Sequence, residues 1–240
     1  MIKAGCATSN RFLPSRLDNL EFWYSPFRST ITKDGSNLIS QWNDISGNSN
    51  HATQVTDANK MIFGTRTLNN IDVIDSRDTA YMNMDMTVMA ATNYTIYAVT
   101  QTAASGSVQY IIGNRTSATN QGLHVGYFDA TTARFSQWNN DMDTTVPAVV
   151  STESQLWKFR LDTGTGHSST YISDNVTYTN SNVSTSTLID GLNGNIGTGF
   201  QTTNSFKGDL ADILGYSDAL STVELGWVET YLKTTWGFTL

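Results

Sequence analysis

A single cysteine, Cys6, excludes an intrachain disulfide, so the stability of this 240-residue chain must come from packing. Basic residues are few: 14 Lys and Arg stand against 21 Asp and Glu, a formal net charge of −7. No basic run occurs, which excludes a binder of nucleic-acid backbones, since that task needs clustered cations. No window approaches the roughly eighteen apolar residues of a membrane helix. The start, Met1-Ile-Lys-Ala-Gly-Cys, lacks the apolar stretch of a signal peptide. A protein made in the cytoplasm and built into a particle is therefore expected over a Sec-secreted one. Glutamate is scarcest of the charged types, with only Glu21, Glu153, Glu224 and Glu229.

What fills the chain instead is Ser, Thr and Asn between short apolar runs. Hydrophobic residues make up 39% and charged ones 15%, enough apolar content for one large core and uncharged polar content for the outer faces of antiparallel sheets. Strand patterns recur every 8 to 15 residues, a spacing of about a dozen strands. Leu20 to Tyr24, Leu38 to Trp42, Ile71 to Ile74, Ala80 to Met86, Tyr94 to Gln101 and Val108 to Gly113 come first. Gly122 to Phe128, Ala133 to Trp138, Leu156 to Asp162, Ser169 to Ser173, Val176 to Tyr178, Asn193 to Gly199 and Leu210 to Tyr216 follow. Met82, Met84 and Met86 alternate onto one face and read as core. Asp174-Asn175 reads as a turn, and Asn139 to Asp143 as a polar loop. The one helix follows Ser221-Thr-Val-Glu224, a capping box, and its apolar face is Val228, Tyr231, Leu232 and Trp236, with Gly237 as the stop. The fold class is all-β, a two-sheet antiparallel sandwich with one short C-terminal helix. Residues 1–16 show no periodicity and read as an irregular arm before one domain over 17–240. If that arm attaches to a partner, Arg11, Phe12, Leu13 and Arg16 are its anchors.

Two stretches carry a family resemblance. Gly208-Asp-Leu-Ala-Asp-Ile, then Tyr216, Leu220-Ser-Thr-Val-Glu224, Tyr231-Leu and Trp236 resemble the end of concanavalin A-like lectin/glucanase domains. They are most similar to the laminin-G-like jelly rolls of phage virion and bacterial surface proteins. Trp42-Asn-Asp-Ile-Ser-Gly, followed by His51-Ala, resembles a segment near the start of such domains. The likeness spans roughly Leu17 to Gly237 and implies a jelly roll. It implies little about activity, because this fold carries lectins, hydrolases, lyases and scaffolds. In the Trp42 segment, Asp44 suits an Asx-turn onto Ser46, Gly47 a positive φ, and His51 a hydrogen bond to the loop.

Catalysis is not expected. Glycosidases of this family carry Glu-x-Asp-x-x-Glu on one strand, and no glutamate here has that spacing. Jelly-roll lyases need clustered Arg, His and Tyr, whereas His51, His124 and His167 are scattered. Zinc needs clustered His or Cys, and no such cluster exists. Sugar binding pairs an aromatic face with hydrogen-bonding side chains. Trp138, Asn139, Asn140 and Asp141 offer that mix, with Tyr127 on a neighbouring strand. The competing reading places Trp138 in the core under a solvated loop. No cofactor is required, although Asp141 and Asp143 with Asn139 would suit Ca²⁺, a hard ion that takes oxygen ligands.

The resemblance leads to one expectation and two alternatives. The expectation is a non-enzymatic structural protein of a bacteriophage virion: capsid decoration, fibre or tail-associated. Its partners would be other virion proteins, further copies of itself and a cell-surface glycan. The alternatives are a stand-alone carbohydrate-binding module and a degenerate glycosidase or lyase.

Overall fold

The computed structural model describes residues 12–77, 79–102, 106–114, 118–120, 122–148, 153–189, 194–199 and 202–238. Two antiparallel sheets carry the fold. In the first, the strands Val176–Asn182, Gly166–Ser173, Ser154–Asp162, Tyr94–Thr102, Gly208–Tyr216, Ile71–Ser76 and Ile62–Leu68 lie side by side. Leu20–Tyr24 joins it along the second half of Gly208–Tyr216. The second runs Asn140–Thr145, Thr132–Gln137, Leu123–Asp129, Gln109–Asn114, Gly194–Ile196, Met82–Met84, Ala52–Thr53, Ile39–Trp42 and Ile31–Lys33.

Between the sheets lies the main core, which includes Trp42, Phe135, Trp157, Phe159 and the methionine row Met82, Met84 and Met86. Trp42 is fully buried, as expected of a core residue. A second core lies on the outer face of the first sheet, where the helix Thr222–Trp236 docks. Val228, Tyr231, Leu232 and Trp236 are the buried helix residues, and they meet Trp23, Tyr97, Val99, Ala211 and Leu214. The capping box at Ser221 and Glu224 forms, and Gly237 closes the helix at φ 79°, a left-handed conformation that glycine adopts without steric penalty.

The central strand Gly208–Tyr216 serves both cores through a bulge. Leu210 pairs with Thr100 and Ile213 with Ala98, so Ala211 and Asp212 together oppose Val99. Leu210 and Ile213 point into the main core, while Ala211 and Asp212 both face the helix. Asp212 is fully buried and accepts from the indole N–H groups of Trp23 at 3.2 Å and Trp236 at 2.9 Å. One carboxylate thus joins the first strand, the central strand and the end of the helix.

Near the first strand, the Asp44 loop is built as read. Asp44 Oδ1 accepts from the Ser46 N–H at 2.8 Å, Gly47 has φ 108°, and His51 Nδ1 accepts from the Asp44 N–H at 3.1 Å. Asp174 and Asn175 both take positive φ in the two-residue turn between Ser173 and Val176.

Three corrections follow. Asn139 to Asp143 is no loop: Asn140–Thr145 is a strand paired with Thr132–Gln137. Its polar sequence hid the alternation, since only Met142 of Asp141, Met142 and Asp143 is buried. The strands Ile31–Lys33, Ala52–Thr53 and Ile62–Leu68 also escaped the pattern, the first two by their shortness and the third because most of it faces solvent. The third correction concerns the arm. Arg11 lies outside the described residues. Phe12 and Leu13 pack against the helix-side core, Pro14 is buried, and the Pro14 carbonyl accepts from Tyr216 Oη at 3.3 Å. Phe12 stands 5.9 Å from the Trp227 ring, beside Arg16. These residues cover their own domain rather than projecting from it.

Candidate functional site

Among the described residues no α-helix lies over the outer face of the second sheet, and there the polar hairpin builds a cavity. Gln137 pairs with Asn140 across a turn made of Trp138 and Asn139, with Asn139 at φ 71°. The pairing sets Arg134 opposite Asp143 and Ser136 opposite Asp141. All four point away from the core, because Phe135 and Met142 between them point in. On the next strand Leu123, Val125 and Tyr127 face the core, so His124 and Phe128 face outward. Tyr110 comes from the strand beyond, opposite Gly126. A Cβ at Gly126 would lie 2.2 Å from the Gln109 carbonyl oxygen and 2.8 Å from the Tyr110 Cα, so only glycine lets these two strands approach here.

The cavity measures about 310 Å³. Tyr110, His124, Phe128 and Trp138 give it aromatic walls, and Arg134, Asp141, Asn139 and Asn204 its polar groups, with Val108 at the edge. Trp138 is half-buried. Its N–H donates to the Gly122 carbonyl at 3.0 Å, and its carbonyl accepts from the Asn120 N–H at 3.1 Å. The His124 ring lies 4.8 Å from Tyr110 and 6.0 Å from Trp138, which locks the wall into one aromatic unit.

Arg134 organises the polar floor. Its Nε and Nη2 each donate to Asp143 at 2.7 Å, a two-pronged contact. Nη1 lies 3.5 Å from Asp141, and the guanidinium carbon sits 3.8 Å over the Phe128 ring. Burial opposes the charge on Arg134, but the Asp143 hydrogen bonds and the Asp141 charge outweigh it and raise its pKa. Ser136 Oγ donates to Asp141. His124 is pushed down to about 4, chiefly by burial, so it is neutral near pH 7; its Nδ1 donates to the Gly122 carbonyl at 2.9 Å. Burial likewise pushes the Tyr110 hydroxyl up.

The structure therefore brings together three of the residues read from the sequence: Trp138, Asn139 and Asp141. Two others lie elsewhere. Tyr127 faces inward, its hydroxyl 2.8 Å from Tyr171 Oη in the main core, because strand alternation gives the outward place to Phe128. Asn140 turns its amide to Asn120 Oδ1 at 2.5 Å and does not line the cavity. The oxygens of Asp141 and Asp143 expected to suit Ca²⁺ contact the Arg134 guanidinium in this structure. Among the described residues, no group of three His, Cys, Asp or Glu side chains is placed to hold a metal. The sequence reading missed Tyr110, His124, Phe128 and Arg134. A two-residue hairpin turn at Trp138-Asn139 would have revealed Arg134 opposite Asp143, but the other three depend on strand neighbours distant in sequence.

No family model and no curated protein sequence matches the chain. Solved structures do match. Domain 4 of AbnA, an extracellular GH43 arabinanase from Geobacillus stearothermophilus solved with arabinotriose, aligns at TM-score 0.59 and 13% identity over 86% of this chain and 96% of that one. An arabinofuranosidase solved with arabinofuranosyl-α-1,2-xylobiose aligns at TM-score 0.63 and 14% identity, over 83% of this chain and 51% of that one. The binding domain of Paraclostridial Mosquitocidal Protein 1 aligns at TM-score 0.59 and 13% identity, over 91% of this chain and 53% of that one. The likeness is one of fold. The first two are an arabinanase domain and an arabinofuranosidase, each solved with an oligosaccharide, and the shared fold is in keeping with a lectin-like jelly roll.

Proposed function

We propose that the chain is a glycan-binding module that holds a sugar in the Trp138 cavity without turning it over. One observation carries this: an aromatic wall and a set of polar side chains converge on the uncovered face of a sheet whose other side is solid core. A pyranose has an apolar face that stacks on Trp138 or Tyr110 and ring hydroxyls that bond to Asp141, Asn139 and Asn204. At about 310 Å³ the cavity sits at the small end of ligand sites, a size for one or two sugar units. Release of the bound sugar unchanged is supported by the pairing of the Asp141 and Asp143 carboxylates with Arg134.

Glycan-array binding followed by calorimetry tests the reading. A ligand with a dissociation constant between micromolar and millimolar, lost in Trp138→Ala while the unfolding temperature holds, supports it. An array with no ligand removes it, and new reducing ends or unsaturated products from a polysaccharide panel remove the non-catalytic part.

The likeness of the closing segment to phage-encoded domains supports a setting for such a module, repeated display on a virion that meets a cell-surface glycan. Mass spectrometry of purified particles would find the chain there or end that proposal. Sedimentation of the purified chain tests the self-association that display would use.

A further inference from the structure

We propose that the cavity selects uncharged sugars and rejects acidic ones such as uronic and sialic acids. The inference rests on the glycan-binding reading and adds the class of ligand. An arginine in a sugar site would ordinarily invite a carboxylate, because its planar fork matches one. Here one edge of the fork is taken and the remaining nitrogen lies beside a second carboxylate. Nε and Nη2 both point at Asp143, and Nη1 faces Asp141. The guanidinium is further held flat over Phe128, so it cannot swing toward a ligand without losing that contact as well. His124 adds no positive charge, since burial keeps it neutral near pH 7.

The two carboxylates outnumber the one cation, and the surplus is negative. It sits at the surface, where the Asp141 side chain is 41% exposed while the Arg134 side chain is only 15% exposed. A ligand carboxylate would meet Asp141 before it met Arg134, and like charges that close together repel. A neutral sugar meets the same carboxylate with hydroxyl donors, and hydrogen bonds to a charged acceptor are the stronger kind. Arg134 then acts as a positioning residue: it holds Asp141 and Phe128 in place and does not bind the ligand through its charge.

The test compares matched neutral and acidic glycans on the full chain. Probes are lactose against sialyllactose, methyl galactoside against methyl galacturonoside, and methyl glucoside against methyl glucuronoside, beside a printed array of both classes. The expected result is that every bound glycan is uncharged and that its acidic counterpart binds at least about tenfold more weakly, a gap that narrows as salt screens it. Asp143→Asn frees one side of the guanidinium, and the ratio of acidic to neutral binding should then rise by about tenfold. Preference for an acidic or a cationic sugar overturns the proposal and leaves the glycan reading standing. A ratio unmoved in a folded Asp143→Asn overturns the role given to Arg134. If that variant does not fold, the wild-type pairs decide alone. Retention of no glycan of either class ends both.

Discussion

The two outer faces of this sandwich use the same side chains in opposite ways. The face of the first sheet is covered by the helix, and its aromatic residues Trp23, Tyr97, Tyr216 and Trp236 are sealed in a second core. The face of the second sheet is uncovered, and Tyr110, Phe128 and Trp138 stand around a cavity. Each face has carboxylates doing the positioning. Asp212 on the covered face accepts from two indole N–H groups and never meets solvent. Asp141 and Asp143 on the open face hold a guanidinium and remain partly exposed. What separates the sealed face from the face with the cavity is the presence of one amphipathic helix, rather than the kinds of side chain they carry.

Mutations on the two faces should therefore separate stability from binding. The largest effect of a single substitution is expected at Asp212→Ala, which leaves two buried indole N–H groups unpaired. A loss of roughly 3 kcal/mol is expected, or a fall of about 6–12 °C in unfolding temperature. Thermal and urea unfolding would check it, and protein that remains folded should keep its glycan affinity.

Acid comes next. Burial pushes His124 and His167 down to about 4 in the folded chain, below the ordinary value of 6.5. The fold thus favours the neutral rings, and their contribution is intact above about 6.5, then lost as pH falls toward 4. A decline on the order of 2 kcal/mol per ring is expected by about pH 5. His124→Gln should flatten only its own part of the profile, because His167 is held in the interior by Gln137 and Phe159.

Trp138→Ala should do the reverse of Asp212→Ala. Its ring is half-buried, so stability should change by less than about 1 kcal/mol, while affinity falls about tenfold or more. A variant that unfolds instead would move Trp138 to the covered kind of face. The smallest effect is expected at Ser221→Ala, about 1 kcal/mol from the lost helix cap, with no change in binding.

How much of this could be read beforehand depended on distance along the chain. The helix was legible because its cap, its apolar face and its glycine stop all lie between Ser221 and Gly237. The Asp44 loop and the Asp174-Asn175 turn were legible for the same reason: Asx bonds and positive φ are set within a few residues. Of the site, Trp138, Asn139 and Asp141 were found together because they lie within four consecutive residues, at a turn and the start of the strand after it. Tyr127 was expected in the site and Phe128 was not; alternation shows that neighbours take opposite faces without showing which face is inside. That choice belongs to the facing sheet, which takes Tyr127 against Trp157 and Tyr171.

By itself the sequence determined the class of fold, since alternating short runs with turn residues between them can bury their apolar sides only as paired sheets. It also determined the helix, through periodicity and capping that need no partner. The cavity was decided by tertiary structure alone. Tyr110, His124 and Phe128 become neighbours of Arg134 and Asp141 only when four strands align in one register, with Gly126 allowing the close approach. Whether Arg134 is a free cation or a paired one is likewise a matter of cross-strand position, since Asp143 reaches it only across the Thr132–Gln137 and Asn140–Thr145 pair.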